Sequence, residues 1–344
     1  MITATTPPRY LTPLGQAPAR WQLEMAAALT SVEALAQAVG LDAGACDATA
    51  AAAFKLRVPH SYVRRMRRGD PHDPLLLQVL PSPRENQKRA DFTADPVGEQ
   101  QSAVRAPGLL KKYSGRALLI TTQACAVHCR YCFRREFPYT EQAGDAPRWS
   151  EALEEIARDE SIQEIILSGG DPLSLSDARL KSLTDALADI PHLRRLRVHT
   201  RQPIVLPSRV DSGLIAWIRG VRRPMVFVLH CNHPNEIDAE VREACAALRE
   251  TGLTLLNQSV LLRGVNDSAD VLAELSERLF EAGVLPYYLH LLDKVSGAAH
   301  FDVPEATATR MAGQLAARLP GYLVPRLVRE VHGAPAKVTL PVTL

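Results

Sequence analysis

Six short apolar runs recur along the second two thirds of the chain: ALLITT (117–122), IQEIILS (162–168), LRRLRVHT (193–200), PMVFVLH (224–230), LTLLNQS (253–259) and LPYYLH (285–290). Each gives way to an amphipathic stretch long enough for three or four helical turns, near 149–159, 175–189, 211–219, 236–251, 267–282 and 304–318. Strand-sized runs alternating with helix-sized ones, with little hairpin chemistry between them, predict parallel strands joined by helical crossovers. The residues at the run ends choose between an open sheet and a barrel. The first run leads into Cys125, the second into Ser168-Gly169-Gly170-Asp171 and the third into His199-Thr200-Arg201. The fourth ends at His230, the fifth carries Asn257-Gln258, and the sixth leads to His290 and Asp293. Chemically capable side chains at the carboxyl end of every strand suit a barrel, whereas an open sheet gathers them at one switch point. Six units fall short of the usual eight, so the expected fold is α/β, a partial (β/α)6 barrel.

The first third reads differently. WQLEMAAALTSVEALAQAVG has apolar residues at helical spacing, and AAAFKLRVPHSYVRRMRRG reads as two short helices broken at Pro59. Residues 81–112 are polar and proline-rich, which predicts a long surface connection. The expected organisation is a helical N-terminal region and connection over 1–110, a barrel over 111–320 and a C-terminal segment over 321–344.

Composition narrows the function. Hydrophobic residues make up 46% and charged residues 23%, the balance of a water-soluble enzyme. A net charge of +2 gives no reason to expect nucleic acid or an anionic membrane as a partner. No apolar run reaches the roughly 20 residues that span a bilayer, and MITATTPPRY lacks a signal-peptide pattern. These features predict a cytoplasmic protein with reduced thiols, so the six cysteines are not a disulfide framework. Arg64, Arg65, Arg67 and Arg68 form a local basic patch, readable either as a solvated helix end or as a surface for an acidic partner.

Three of the cysteines, Cys125, Cys129 and Cys132, stand as C-x3-C-x2-C in QACAVHCRYCFRR. Cys46, Cys231 and Cys245 stand alone. Structural zinc uses four closed ligands, usually as two pairs, and no second pair is visible. His128 has the right chemistry for a fourth ligand but sits inside the loop that must wrap the other three. Three thiolates on a four-iron cube leave one iron without a protein ligand, which is where a substrate or cofactor binds. The next loop, SGGDPL (168–173), has paired glycines that let backbone approach a ligand closely.

C-x3-C-x2-C resembles the signature of radical S-adenosylmethionine (SAM) enzymes, and the resemblance implies a [4Fe-4S] cluster whose fourth iron takes the amine and carboxylate of SAM. Ser168, Gly169, Gly170 and Asp171 match the segment that contacts the SAM amine. CRYCFRR, LSGGDPL, HCNHPNEI, NQSVLLRGVND, PYYLHLLDKVSGAAHF and GYLVPRLVRE, in order between about Lys111 and Lys337, together resemble the lysine 2,3-aminomutase family. That family also uses pyridoxal 5′-phosphate (PLP). Moving an amino group from Cα to Cβ breaks an unactivated C–H bond, which acid–base groups cannot do. A radical derived from SAM can, and an imine of PLP holds the unpaired electron while nitrogen shifts.

The resemblance places the PLP Schiff base on Lys337, in HGAPAK, with only Gly333 remaining of the glycine run usual there. It places Lys112, Tyr113, Arg116 and Gln258 around PLP. Arg134 matches the arginine for the substrate carboxylate, a role its guanidinium fork suits. Asp293 and Glu330 match the acids for the distant ammonium, Glu330 being one methylene longer than the family's aspartate. His230 and His233 are weaker site members, and Cys231 and Cys245 read as small apolar packing residues. A zinc-bridged oligomer is not expected, because the chain ends at Leu344 and carries Ser268 where a zinc cysteine would lie.

The short C-terminus, FRREFPY and LHLLDKVSGAAHF resemble the elongation factor P branch. That implies conversion of (S)-α-lysine to (R)-β-lysine for a ligase that attaches it to elongation factor P. A flavodoxin, ferredoxin or reductase would supply electrons. Two alternatives stay open: free β-lysine for metabolism, and a non-catalytic iron–sulfur scaffold.

Overall fold

The six apolar runs form six adjacent parallel strands. The structure is a computed structural model and describes residues 17–42, 48–99, 103–138 and 146–342; Cys46 lies outside them. In chain order the described strands are β1 (Val104–Ala106), β2 (Leu109–Tyr113), β3 (Arg116–Thr122), β4 (Glu164–Gly169) and β5 (Arg195–Thr200). They continue with β6 (Met225–His230), β7 (Thr254–Val260), β8 (Leu285–His290), β9 (Arg326–Arg329) and β10 (Val338–Thr339). They form one sheet in that same order, parallel from β3 to β9, with β1–β2–β3 antiparallel at one edge and β10 antiparallel to β9 at the other.

Crossover helices Ala146–Arg158, Asp177–Ala188, Ser212–Gly220, Ala239–Arg249, Ala269–Glu281 and Glu305–Arg318 follow β3 to β8. Their starts are written locally. Ser176, Asp211, Asp238 and Ser268 each accept a hydrogen bond from a first-turn N–H. Ser268, the position where a zinc cysteine would lie, is thus a helix cap here.

Side-chain parity then separates packing from chemistry. Ala117, Leu119, Ile165, Leu167, Leu196, Val198, Phe227 and Leu229 face the helices in the main core, each fully buried apolar side chain contributing about 1.5–3 kcal/mol. The alternate positions Arg116, Leu118, Ile166, Ser168, Arg197, His199, His230, Gln258, Tyr288 and His290 line a cavity on the other face. The barrel is partial, so this face stays open for ligands.

Two parts of the fold depart from the sequence reading. The segment read as a surface connection holds β1 and β2, which place Leu109 and Leu110 in cores. Their hairpin onto β3 turns at Ser114-Gly115, with Gly115 at φ +76° and Tyr113 opposite Arg116. Further back, Thr93 pairs with the loop after β8, its N–H donating to Lys294 O at 2.9 Å. The second departure is β9 and β10, which continue the sheet past the sixth unit.

The N-terminal helices do more than cover the barrel. Trp21, Met25, Leu35, Tyr62, Leu75 and Leu76 build a second core that takes in Ala126 and Val127 of the cysteine loop. Of the basic patch, Arg65 joins this packing, while Arg64, Arg67 and Arg68 stay exposed. Arg65 donates to the carbonyls of Glu236 and Ile204, Arg68 to Ala38, Arg64 pairs with Glu240 and Arg67 with Asp70. Among the described residues no helix is long and apolar enough to cross a membrane.

Candidate active site

The loop leaving β3 brings Cys125, Cys129 and Cys132 to the wall of a cavity of about 510 Å³. The N-terminal region clamps this loop. His128 N donates to Arg57 O at 2.9 Å and Arg130 N to Gln78 O at 2.8 Å. Arg130, fully buried, donates to Ala50 O, Phe54 O and both oxygens of Glu85, which also takes Arg135. Removing one partner of a buried pair strands the other charge. Glu85→Gln should therefore cost about 3–5 kcal/mol, read as a lower unfolding midpoint of the cluster-free protein. Glu154→Gln, in the exposed pair with Arg158, should cost no more than about 0.5 kcal/mol.

The donor set fits an iron–sulfur cluster. Burial, with Cys129 adding to it, pushes the Cys132 thiol up to about 11, and burial pushes Cys125 well above the usual thiol range. Cationic iron is what would draw such thiols into the thiolate form. His128 also lines this cavity, with its Nδ1 2.8 Å from Lys55 O. Among the described residues no three His, Cys, Asp or Glu side chains gather at single-ion spacing.

The SGGD segment is built into this loop. Gly170 N donates to Thr122 O at 2.7 Å and Asp171 N to Ala124 O at 2.8 Å. A Cβ on Gly169 (φ +119°) would lie 2.6 Å from Thr122 O, and one on Gly170 2.4 Å from Ala124 O. The glycines are required by the approach of the cysteine loop itself. Asp171 is buried, and its carboxylate accepts from Thr200 Oγ1 and from the N–H groups of Leu173, Arg201 and Gln202. It ties the β4 exit to the β5 exit.

Lys337, Lys112, Tyr113 and Glu330 form one cluster. Glu330 Oε2 lies 2.6 Å from Lys337 Nζ, and its Oε1 lies 2.6 Å from Lys112 Nζ and accepts from Tyr113 Oη. Burial alone would raise the Glu330 carboxyl, but Lys337 and Lys112 hold it down at about 2. Burial, the hydrogen bond to Glu330 and its charge push Tyr113 up. Arg116 lies 4.7 Å from the Tyr113 ring centre and is in no ion pair among the described residues, leaving a cation for a phosphate. The residues expected at PLP and one expected at the substrate ammonium thus meet at Glu330.

Asp293 opens onto the same cavity. Burial pushes its carboxyl up to about 7, Lys337 and Lys112 pulling down and Glu330 and Glu99 pushing up. Below pH 7 it is protonated and loses its hold on a cation. For a cationic substrate, kcat/KM should fall about tenfold per pH unit below about 7. Asp293→Asn should remove that limb and raise KM roughly thirtyfold, about 2 kcal/mol.

Arg134 is buried with its fork on Glu99, Nε to Oε2 at 2.7 Å and Nη2 to Oε1 at 3.0 Å. Its Nη1 donates to Ser168 Oγ at 3.1 Å. Glu99, missed in the sequence, thus already holds the edge expected to meet a substrate carboxylate. Its neighbour Gly98 lies against the C-terminal loop, since a Cβ there would lie 1.8 Å from His332 Nδ1.

Gln258 and His230 line the cavity and meet at 2.8 Å; burial, with Arg201 and Arg134, holds His230 down at about 3, neutral and able to accept from the amide. Asn257 and His233 are structural: Asn257 bonds the Cys231 backbone, and His233 Nδ1 caps the turn at Asn235. Cys231 and Cys245 are buried in the main core.

The model of the Radical SAM superfamily matches residues 119–211, from β3 through the cysteine loop to beyond β5. Fold, thiols and match together define a radical SAM enzyme, the class that carries a [4Fe-4S] cluster and SAM. Relatives narrow it further. L-lysine 2,3-aminomutase of Escherichia coli K12 is 47% identical over 94% of this chain and 95% of its own, and that of Haemophilus influenzae 47% identical over 83% and 84%. L-lysine 2,3-aminomutase of Clostridium subterminale is 34% identical over 83% of this chain and 68% of its own. The chain belongs to the lysine 2,3-aminomutase family.

Proposed function

We infer that this protein is a cytoplasmic, PLP-dependent lysine 2,3-aminomutase that converts (S)-α-lysine to (R)-β-lysine for attachment to elongation factor P. The observation that carries the reading is the shared cavity: the three thiols, Lys337, Arg134, Asp293 and Glu330 all line one space of about 510 Å³. A scaffold needs only the thiols.

In this reading Cys125, Cys129 and Cys132 hold the cluster, with Ser168, Gly169 and Gly170 beside the SAM amine and Asp171 keeping that segment in place. The 321–344 segment presents Lys337 to PLP, whose phosphate meets Arg116, Lys112, Tyr113 and Gln258. Bound there, PLP supplies the π-system on nitrogen that a 1,2-amino shift needs. Arg134 receives the substrate carboxylate on its Nη1, beside Ser168 and outside the fork held by Glu99, and Asp293, with Glu330, receives the distant ammonium. Once Lys337 is engaged by PLP, Glu330 loses one of its two ammonium partners and can turn to the substrate's. Partners follow: a one-electron donor of the flavodoxin or ferredoxin class, and the ligase that consumes the product.

Destination is tested by coupling. The loaded enzyme with free L-lysine, elongation factor P and its ligase should yield factor heavier by one lysyl unit carrying the β-amino isomer. Rearrangement only of lysine already attached to the factor, or refusal of the product by the ligase, would contradict the reading.

A further inference from the structure

Arg201 follows β5 and has no part in the roles assigned above. Its backbone N–H donates to Asp171 Oδ2 at 2.7 Å, so it is tied to the SGGD segment. Its side chain runs to the cysteine loop, where Nη1 lies 2.7 Å from Cys129 Sγ and 2.7 Å from Tyr131 Oη. Behind it, Nη2 donates to Gln78 Oε1 at 2.7 Å and to Glu236 Oε2 at 2.9 Å. Asn232 bonds the same Tyr131 and Gln78 oxygens, which locks the group. Arg201, Gln78, Asn232 and Glu236 are all buried. The guanidinium cannot shift away from the sulfur without abandoning this frame.

We propose that Arg201 is the positioning residue that tunes the cluster, its guanidinium donating to the Cys129 ligand and raising the cluster's midpoint potential. The Arg201–Glu236 pair turns its positive end to the sulfur and its negative end away. Reduction adds one electron from a one-electron donor, making the cluster and its three thiolates more negative by one charge. A fixed positive charge in a dry site stabilises that state more than the oxidised one. Arginine stays protonated throughout, so the electron enters without a proton. The same contact orders the loop for SAM, because one residue joins the SGGD segment to a cluster ligand.

The test needs neither lysine nor PLP and is independent of the substrate reading. Wild type, Arg201→Lys and Arg201→Met are reconstituted anaerobically, checked for equal iron and sulfide, and titrated with dithionite under EPR. The midpoint should move to more negative potential in both variants, further in Arg201→Met. A wild-type midpoint in a fully loaded Arg201→Met protein would overturn the proposal. Should that variant fail to hold its cluster, wild type labelled with ¹⁵N at the arginine guanidines decides. Its reduced cluster should show a ¹⁵N coupling by electron–nuclear double resonance that is lost in Arg201→Lys, and absence of the coupling in wild type would equally overturn it.

Discussion

Lys337→Ala abolishes β-lysine formation, by at least about a thousandfold, while cluster content and the capacity to cleave SAM persist. The expectation rests on how the lysine is held. Lys337 is half-buried, with its ammonium on Glu330 and its charge felt by Asp293. Its loss removes the amine that anchors PLP but leaves Glu330 paired with Lys112 and bonded to Tyr113, so the carboxylate is not stranded and the chain still folds. Among the described residues the cysteine loop is held by other partners, Arg130 by Glu85 and Arg134 by Glu99. Measuring β-lysine by chiral chromatography beside methionine release separates the two halves of the site. Lys112→Ala should behave differently, weakening PLP binding without removing turnover, because Arg116 remains to meet the phosphate.

The second large effect is at the cluster. Cys125→Ala should lose most of its iron and all SAM cleavage, yet unfold close to the wild-type midpoint when both proteins are compared without cluster. The loop's shape comes from Arg130 on Glu85, from His128 and Arg130 backbone bonds to the N-terminal region, and from Ala126 and Val127 in the second core. None of these needs metal. Cys245→Ala, in the main core, should leave iron content untouched and cost only packing. Iron analysis and denaturant midpoints of the two variants give opposite patterns.

What could be read in the sequence follows from how local each signal is. The six strands and six crossover helices are written in runs a few residues long, and their parity fixes which side chains face the cavity. The three thiols lie within eight residues, and SGGD within four. The β1–β2 hairpin is signalled only by its turns, Pro107-Gly108 and Ser114-Gly115. The two lysines of LLKKY hide the strand: Lys112 points into the cavity, while Lys111 on the opposite face pairs with Asp159. β9 is four residues long and reads as a charged run, since Arg326 and Arg329 flank its two buried residues.

Contacts across the fold were beyond reach. Glu99 meets Arg134 across 35 positions, Arg201 meets Cys129 across 72, and Lys112 meets Glu330 across 218. No periodicity reports such pairs. The resemblance supplied residue types for the site but not their partners, and the partners change the reading. Glu330 is held by Lys337 and Lys112, Arg134 begins with a carboxylate already in its fork, and Asp171 is an internal tie.

The most direct measurement is a single anaerobic reaction of the cluster-loaded protein with SAM, PLP, dithionite and L-lysine, analysed by chiral chromatography. The account predicts (R)-β-lysine, formed only when SAM and PLP are both present. SAM cleavage without β-lysine, from protein carrying a full cluster and bound PLP, would contradict it.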